Sequence, residues 1–137
     1  MAEKVLIIED NVTFRGILSM MLQRQGYEVI SADKGINGLQ RATQDQPNII
    51  ILDLSLPDIN GVEVLSTLKA TPETSHIPVI ICTAAVDQAL REEVLKRGAE
   101  ELFDKPVVPS ILLLVLNKLS GHKKSHHAIQ PAMILAA

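Results

Sequence analysis

Five side chains suited to cation binding or group transfer stand at the ends of four short apolar runs. Glu9 and Asp10 follow VLII, Asp53 follows IIIL, Thr83 follows VIIC, and Lys105 lies in ELFDKP. Apolar, β-branched runs of this length indicate buried parallel strands. In an open α/β sheet, functional groups collect just beyond the carboxyl ends of the strands. The sequence therefore predicts one pocket that contains three carboxylates, a hydroxyl and an ammonium group.

The adjacent acids Glu9 and Asp10 are suited to a divalent cation. Neighbouring carboxylates repel each other, and burying either one without a partner is costly. Mg²⁺ relieves the repulsion and prefers oxygen ligands from a few protein groups. Asp53 is expected to supply the third carboxylate, and Ser55 a backbone carbonyl.

Asp53 is also the candidate nucleophile. A carboxylate beside Mg²⁺ can attack a phosphorus atom and form an acyl phosphate. Such a transfer asks the protein mainly to position the phosphoryl group and to neutralise its oxygens. We expect the Lys105 ammonium and the Thr83 hydroxyl to bind two of those oxygens.

Strand and helix patterns alternate five times, which indicates an α/β domain of right-handed βαβ units with helices on both faces. The predicted strands are Val5–Glu9, Tyr27–Ala32, Asn48–Asp53, Ile77–Thr83 and Glu101–Asp104, and the predicted helices run from about 11 to 25, 35 to 46, 61 to 70, 86 to 97 and 109 to 119. Residues 120–137 are basic, then polar, then apolar. We therefore expect a domain over 1–119 and a tail or linker over 120–137.

The composition narrows the class of protein. The chain has 137 residues, a net charge of −3, no Trp and a single cysteine, Cys82. Nucleic-acid binding proteins usually carry a basic surface or stacking aromatics, so direct nucleic-acid binding is not expected. No apolar run reaches membrane-spanning length, and the first ten residues lack the features of a secretory signal. These features predict a cytoplasmic protein that does not contact membranes.

The whole set of motifs resembles the receiver domain of two-component response regulators. Glu9-Asp10, Asp53 in ILDLSLPDINGVE, Thr83 in VIICTA, and Lys105-Pro106 carry the resemblance, which covers about residues 3–119. It implies a flavodoxin-like (βα)5 fold with a five-stranded parallel sheet of order 2-1-3-4-5. It also implies that Asp53 accepts a phosphoryl group from a sensor histidine kinase or a phosphotransfer protein. Such a protein is a signalling module and catalyses only its own phosphorylation and dephosphorylation.

The resemblance extends to the switch region, with one departure. In receivers an aromatic residue three positions before the lysine usually rotates when the aspartate is phosphorylated, and here that residue is Leu102, followed by Phe103. Either Leu102 changes rotamer, or the domain signals through the loop after Thr83 without it. The peptide bond before Pro106 is expected to be cis, as is common at this position in the family.

The last predicted helix, with the run ILLLVL, is apolar all round, whereas a helix on a sheet needs only one buried stripe. A target protein or a homodimer through the fourth helix, fifth strand and fifth helix is the preferred cover. The tail's own residues 132–135 are the next alternative, and exposed leucines the plainest one.

Three other interpretations of the acids remain. One is that the acids are unrelated helix caps and that Lys105 is a solvated surface residue. A phosphohydrolase with an aspartyl nucleophile would need a general acid two residues later, where the chain has Ser55. A degenerate receiver that acts as a constitutive docking module is favoured only by Leu102.

Overall fold

The computed structural model describes residues 2–119, in which five strands and five helices alternate. The strands are β1 (Lys4–Ile8), β2 (Glu28–Ala32), β3 (Ile49–Leu52), β4 (Val79–Thr83) and β5 (Glu101–Asp104). The helices are α1 (Val12–Arg24), α2 (Gly35–Asp45), α3 (Gly61–Ala70), α4 (Gln88–Lys96) and α5 (Pro109–Leu119). The predicted type and order of all ten elements are confirmed.

Two predicted boundaries are wrong by two residues, for local reasons, and the other differences are of one residue. β4 begins at Val79 and not at Ile77, because Pro78 has no N–H to donate to a neighbouring strand. α4 begins at Gln88, since the Asp87 side chain accepts a hydrogen bond from the Leu90 N–H and caps the helix there.

The five strands form one parallel sheet in the order β2-β1-β3-β4-β5. This confirms the flavodoxin-like order 2-1-3-4-5. Successive strand residues point to opposite faces, so Leu6 and Ile8 pack under α2, α3 and α4, whereas Val5 and Ile7 pack under α1 and α5. Both faces are covered, which explains why the central strands are continuous apolar runs.

Short turns fix where the acids after β1 lie. The Asn11 side chain accepts a hydrogen bond from the Phe14 N–H at 2.9 Å and caps α1, which leaves the preceding Asp10 exposed and uncommitted to capping. α1 ends where Gly26 takes a positive φ of 93°, a conformation that favours glycine. The Asn11 cap at the start of α1 thus leaves Glu9 and Asp10 in the short turn between β1 and α1.

The last helix buries one side and exposes the other. Leu112, Leu113 and Leu116 are buried against the sheet, while Ile111 and Leu114 are 44% and 51% exposed. The excess of apolar residues predicted for this helix is thus present on its surface. The tail, which was one candidate to cover it, lies outside the described residues, and so does the predicted domain boundary after Leu119. Within residues 2–119, no helix has both the length and the apolar character that crossing a bilayer requires.

Candidate functional site

Neighbouring strands bring three of the predicted side chains to one edge of the sheet. Ile8 pairs with Leu52, so Glu9 and Asp53 stand directly beyond adjacent strand ends. Thr83 is the last residue of β4, and β4 pairs with β3 on the side of β3 that faces away from β1. Glu9, Asp53 and Thr83 are only 2%, 5% and 1% exposed, while Asp10 faces solvent. The edge therefore holds buried polar groups that need partners.

The three acids lie close enough to share one ion. One carboxylate oxygen from each of Glu9, Asp10 and Asp53 lies within 4.8 Å of the other two. Burial raises the pKa of Glu9, and the nearby Asp53 charge raises it further, against hydrogen bonds from Lys105 and Asn11 that lower it. Three carboxylates facing one ammonium group leave net negative charge in a partly buried site. This donor set fits Mg²⁺, which prefers oxygen ligands.

Lys105 connects the acids to the opposite side of the pocket. Its Nζ lies 2.7 Å from Glu9 Oε1 and 3.3 Å from Asp53 Oδ2. Burial lowers the pKa of Lys105, but its bond to Glu9 and the charges of both acids outweigh that effect, so the pKa is raised overall. The Lys105–Pro106 peptide bond is cis, as predicted.

Asp53 accepts hydrogen bonds on both carboxylate oxygens. The Thr83 hydroxyl donates to Oδ1 at 2.9 Å, and the Ser55 N–H donates to the same oxygen at 3.2 Å. Lys105 donates to Oδ2. The sequence thus identified the side chains that converge on Asp53. The Ser55 contact differs from the expected one, since its N–H bonds the carboxylate, and a metal-bound Ser55 carbonyl stays a prediction.

The sequence did not predict several groups that hold Glu9 and Lys105 in place. The Asn11 N–H donates to Glu9 Oε2 at 3.0 Å, and Arg15 Nη1 donates to the Glu9 carbonyl oxygen at 2.7 Å. The Phe14 ring lies beneath Lys105, whose Nζ is 4.4 Å from the ring centroid. This distance is typical of a cation–π contact. Their common signal is position, since all three fall in the first turn or just before it, next to the acid pair.

Two further residues shape the loop after Asp53. A Cβ at Gly61 would lie 2.3 Å from Leu54 Cα and 2.8 Å from the Asp53 carbonyl oxygen, so only glycine fits there. Asp58 accepts hydrogen bonds from the N–H groups of Gly35 and Ile36 at 2.8 and 2.9 Å. Asp58 therefore caps α2 from a different loop. The N-cap residue of α2 itself makes no side-chain cap bond.

The two residues predicted to act in the switch lie on opposite sides of the sheet. Leu102 is 3% exposed and belongs to the core under α4, whereas Phe103 is partly buried against the core under α1 and α5. The Leu102 carbonyl accepts a hydrogen bond from Arg91 Nη1 at 3.4 Å. Leu102 is thus coupled to α4 by packing and by one long hydrogen bond. Its rotation on activation stays a prediction.

Comparisons with known proteins agree with this geometry. Protein PilH of Pseudomonas aeruginosa is 32% identical over 114 residues, which cover 83% of this chain and 94% of PilH. The polar-differentiation response regulator DivK of Brucella ovis is 34% identical over 107 residues, 78% of this chain and 87% of DivK. A solved structure of the receiver domain of sensor histidine kinase PA1611 from Pseudomonas aeruginosa, with magnesium in its active-site cleft, superposes with a TM-score of 0.80 at 26% identity. That match covers 88% of this chain and 99% of the other.

The response regulator receiver domain family matches residues 5–117, which include all four strand ends that form the pocket. The acid cluster, Thr83 and Lys105 all lie inside the matched range. The chain therefore belongs to the response-regulator receiver domain family.

Proposed function

We propose that the chain is a phosphoacceptor receiver in which Asp53 takes a phosphoryl group from the phosphohistidine of a sensor histidine kinase or a phosphotransfer protein. The observation that carries the proposal is the convergence of Thr83 and Lys105 on the two carboxylate oxygens of Asp53. Asp53 also lies in the cluster of acids with Glu9 and Asp10.

The transfer requires little of the protein beyond placement. One oxygen of Asp53 attacks phosphorus and forms an acyl phosphate, while the bond between phosphorus and the donor nitrogen breaks and its electron pair stays on that nitrogen. Lys105, fixed by Glu9 and by the Phe14 ring, is placed to neutralise an oxygen of the incoming group. Thr83 is placed to donate to another.

Mg²⁺ is the proposed cofactor, held by Glu9, Asp10 and Asp53 with the Ser55 carbonyl as a further candidate ligand. When bound, the ion supplies positive charge to the phosphoryl oxygens. One observation supports it: three clustered carboxylates face the single ammonium group of Lys105 in the pocket. The magnesium ion in the PA1611 receiver domain points to the same cofactor.

The proposed output is a change of the α4-β5-α5 face that recruits a downstream protein or a second copy of the chain. The Thr83 hydroxyl would leave Asp53 Oδ1 for a phosphoryl oxygen and move the loop 84–87. Ile111 and Leu114 supply exposed apolar surface on α5 for such a contact. Under this proposal the chain performs only its own phosphorylation and dephosphorylation. A cytoplasmic location and the absence of nucleic-acid contact stay predictions.

Phosphorylation by a small donor tests the proposal directly. Wild type with acetyl phosphate and Mg²⁺ should gain about 80 Da, and Asp53→Asn should gain nothing. Glu63→Gln, an acid in α3 outside the pocket, is the control that should react like wild type. A folded wild type that never gains this mass would instead support a constitutive docking module, the alternative that the buried, non-aromatic Leu102 favours.

The part of the switch that involves Leu102 is tested by NMR. Beryllofluoride with Mg²⁺ mimics the phosphorylated aspartate, so methyl shifts of Leu102 that change with it would support rotation of this side chain. Unchanged shifts at Leu102 and Phe103, together with altered shifts in the loop 84–87, would support signalling through the loop alone.

A further inference from the structure

Glu9 is held by hydrogen bonds at both its backbone groups and both its carboxylate oxygens. Its N–H donates to the Ala32 carbonyl at 3.0 Å, and its own carbonyl oxygen accepts from Arg15 Nη1 at 2.7 Å. Lys105 donates to Oε1 at 2.7 Å, and the Asn11 N–H donates to Oε2 at 3.0 Å. Four hydrogen bonds therefore fix this proposed metal ligand.

Asp10, the second proposed ligand, is held in a different way. It is exposed, and within residues 2–119 its carboxylate accepts no hydrogen bond. Its position therefore depends on the peptide unit that joins it to Glu9, which is planar and contains the Glu9 carbonyl. The bond from Arg15 to that carbonyl oxygen thus fixes the orientation of the link between the two acids.

Arg15 differs from Lys105 and Asn11 because it bonds the backbone of Glu9 and not its carboxylate. Its side chain is half-buried and reaches back from the first turn of α1 to the residue that follows β1. A hydrogen bond from a charged donor is shorter and stronger than one between neutral groups. Replacing Arg15 should therefore loosen the link between the two acids without removing a proposed ligand.

Loosening this link should not affect all divalent cations equally. Mg²⁺ binds oxygens at about 2.0–2.1 Å and demands nearly ideal octahedral geometry, whereas Ca²⁺ binds at about 2.3–2.6 Å in flexible arrangements. Movement of the acid pair away from its fixed arrangement should therefore cost more affinity for Mg²⁺ than for Ca²⁺. The two ions carry the same charge, so the ratio of their affinities reports the geometry of the site.

We propose that Arg15 is a positioning residue that determines the cation specificity of the acid cluster, and that its bond to the Glu9 carbonyl favours Mg²⁺ over Ca²⁺. This role rests on the proposed cofactor, but Arg15 itself is not one of the proposed ligands. Its positive charge repels both ions alike. The preference comes from the order that the bond imposes on Glu9 and Asp10.

Separate titrations with Mg²⁺ and Ca²⁺ test this role in the full chain, with the amide NMR signals of Asp10 and Asp53 as the readout. Arg15→Met keeps a long unbranched side chain and a high helix propensity, so the fold should be kept. Loss of a contact that orients a metal ligand commonly costs about tenfold in affinity or more. Because Ca²⁺ shares part of that loss, the ratio of Mg²⁺ to Ca²⁺ affinity should fall by about threefold or more.

Arg41→Met is the matched control. Arg41 and Arg15 line the same polar cavity of about 370 Å³, but the Arg41 guanidinium pairs with Asp45 at 2.9 Å instead of with the Glu9 carbonyl. The substitution removes the same charge from the same cavity and should leave the affinity ratio at its wild-type value. A fall as large as that in Arg15→Met would mean that charge is responsible, which would overturn the proposal.

The carbonyl carbon signal of Glu9 reports the bond itself. It should shift in Arg15→Met and not in Arg41→Met, and no shift in Arg15→Met would mean that the bond is absent, which would also overturn the proposal. A wild type that never binds Mg²⁺ would overturn the proposed cofactor together with this role. A wild type that binds Mg²⁺, beside an Arg15→Met variant that lacks the bond and keeps the wild-type ratio, would overturn only the role of Arg15.

Discussion

Thr83 and Asp53 are joined by a buried hydrogen bond, in which the Thr83 hydroxyl donates to Asp53 Oδ1 at 2.9 Å. The bond links the end of β4 to the end of β3. Because Thr83 is the last residue of its strand, its backbone continues directly into the loop that leads to α4. One side chain thus connects the proposed phosphoacceptor to the element expected to transmit the signal.

Replacing Thr83 with Val should weaken the domain and uncouple the loop. Val keeps the shape of Thr and removes the donor, so the loss of a hydrogen bond to a charged group should cost about 1.5–3 kcal/mol of unfolding free energy. Urea unfolding measures this. Thr83→Ser, which keeps the hydroxyl, should respond to beryllofluoride and Mg²⁺ with amide shifts in the loop 84–87, whereas Thr83→Val should respond weakly. Equal responses in both variants would argue against the hydroxyl as the connector.

The positions of the pocket residues were predictable because the ends of the strands can be predicted from the sequence. Glu9, Asp53 and Thr83 each follow an apolar run, and parallel strands bring their carboxyl ends to one edge. Lys105 was predictable on the same ground, although its contact with Glu9, across 96 positions of sequence, depends on the length of its side chain. The strand pattern indicates which edge of the sheet a residue occupies, but it does not identify the side chains that the residue contacts.

The supporting contacts were not predictable, because they depend on how elements are oriented. The first turn of α1 places Phe14 under Lys105, and Arg15 against the Glu9 carbonyl, only because α1 leaves the sheet at one particular angle. Asp58 caps α2 although 22 positions separate it from Ile36. A local cap is visible in the sequence, as at Asn11, whereas a cap supplied by another loop is not.

Binding of Mg²⁺ should weaken as the pH falls, and Glu9 should be responsible. Burial raises the pKa of Glu9 above its ordinary value of 4.5, and a proton and a cation compete for the same carboxylate. Calorimetric titration should show the Mg²⁺ affinity declining while the pH is still above 4.5.

Glu9→Gln tests the assignment, since it removes the titrating ligand. Its Mg²⁺ affinity at neutral pH should be at least about tenfold lower than that of wild type. Glu92→Gln, an exposed acid on α4, is the control and should bind Mg²⁺ as wild type does. Unchanged affinity in Glu9→Gln would remove Glu9 from the set of proposed ligands.

Asp58 should make the stability of the domain depend on pH in the acid range. Hydrogen bonds from the Ile36 and Gly35 N–H groups lower the pKa of Asp58. A lowered folded-state pKa means that the stabilisation is present above the unfolded value of about 3.9 and is lost as the pH falls through the folded value. The unfolding free energy of wild type should exceed that of Asp58→Asn at neutral pH, and this difference should shrink in acid.

Asp33→Asn is the matched control for this prediction. Asp33 lies two residues before the same helix, but its side chain accepts from Asn37 Nδ2 at 3.5 Å and not from a backbone N–H of the first turn. Urea unfolding at several pH values should therefore give a smaller and flatter difference for Asp33→Asn. A difference for Asp58→Asn that stays constant with pH would argue against the cap.

A pair of glycine substitutions should change stability in opposite directions. At Gly61 a methyl group would lie 2.3 Å from Leu54 Cα, and the backbone cannot move aside as a flexible side chain can. The unfolding free energy of Gly61→Ala should therefore be about 1–3 kcal/mol lower than that of wild type. At Gly16, within α1, nothing lies within 4 Å of the added carbon, so Gly16→Ala should gain about 0.5–1 kcal/mol from helix propensity. Urea unfolding measures both, and Gly61→Ala should also slow phosphorylation by acetyl phosphate, since the clash displaces the backbone beside Asp53. A Gly61→Ala variant as stable as wild type would mean that the loop after β3 can move without cost, which the close approach of Leu54 argues against.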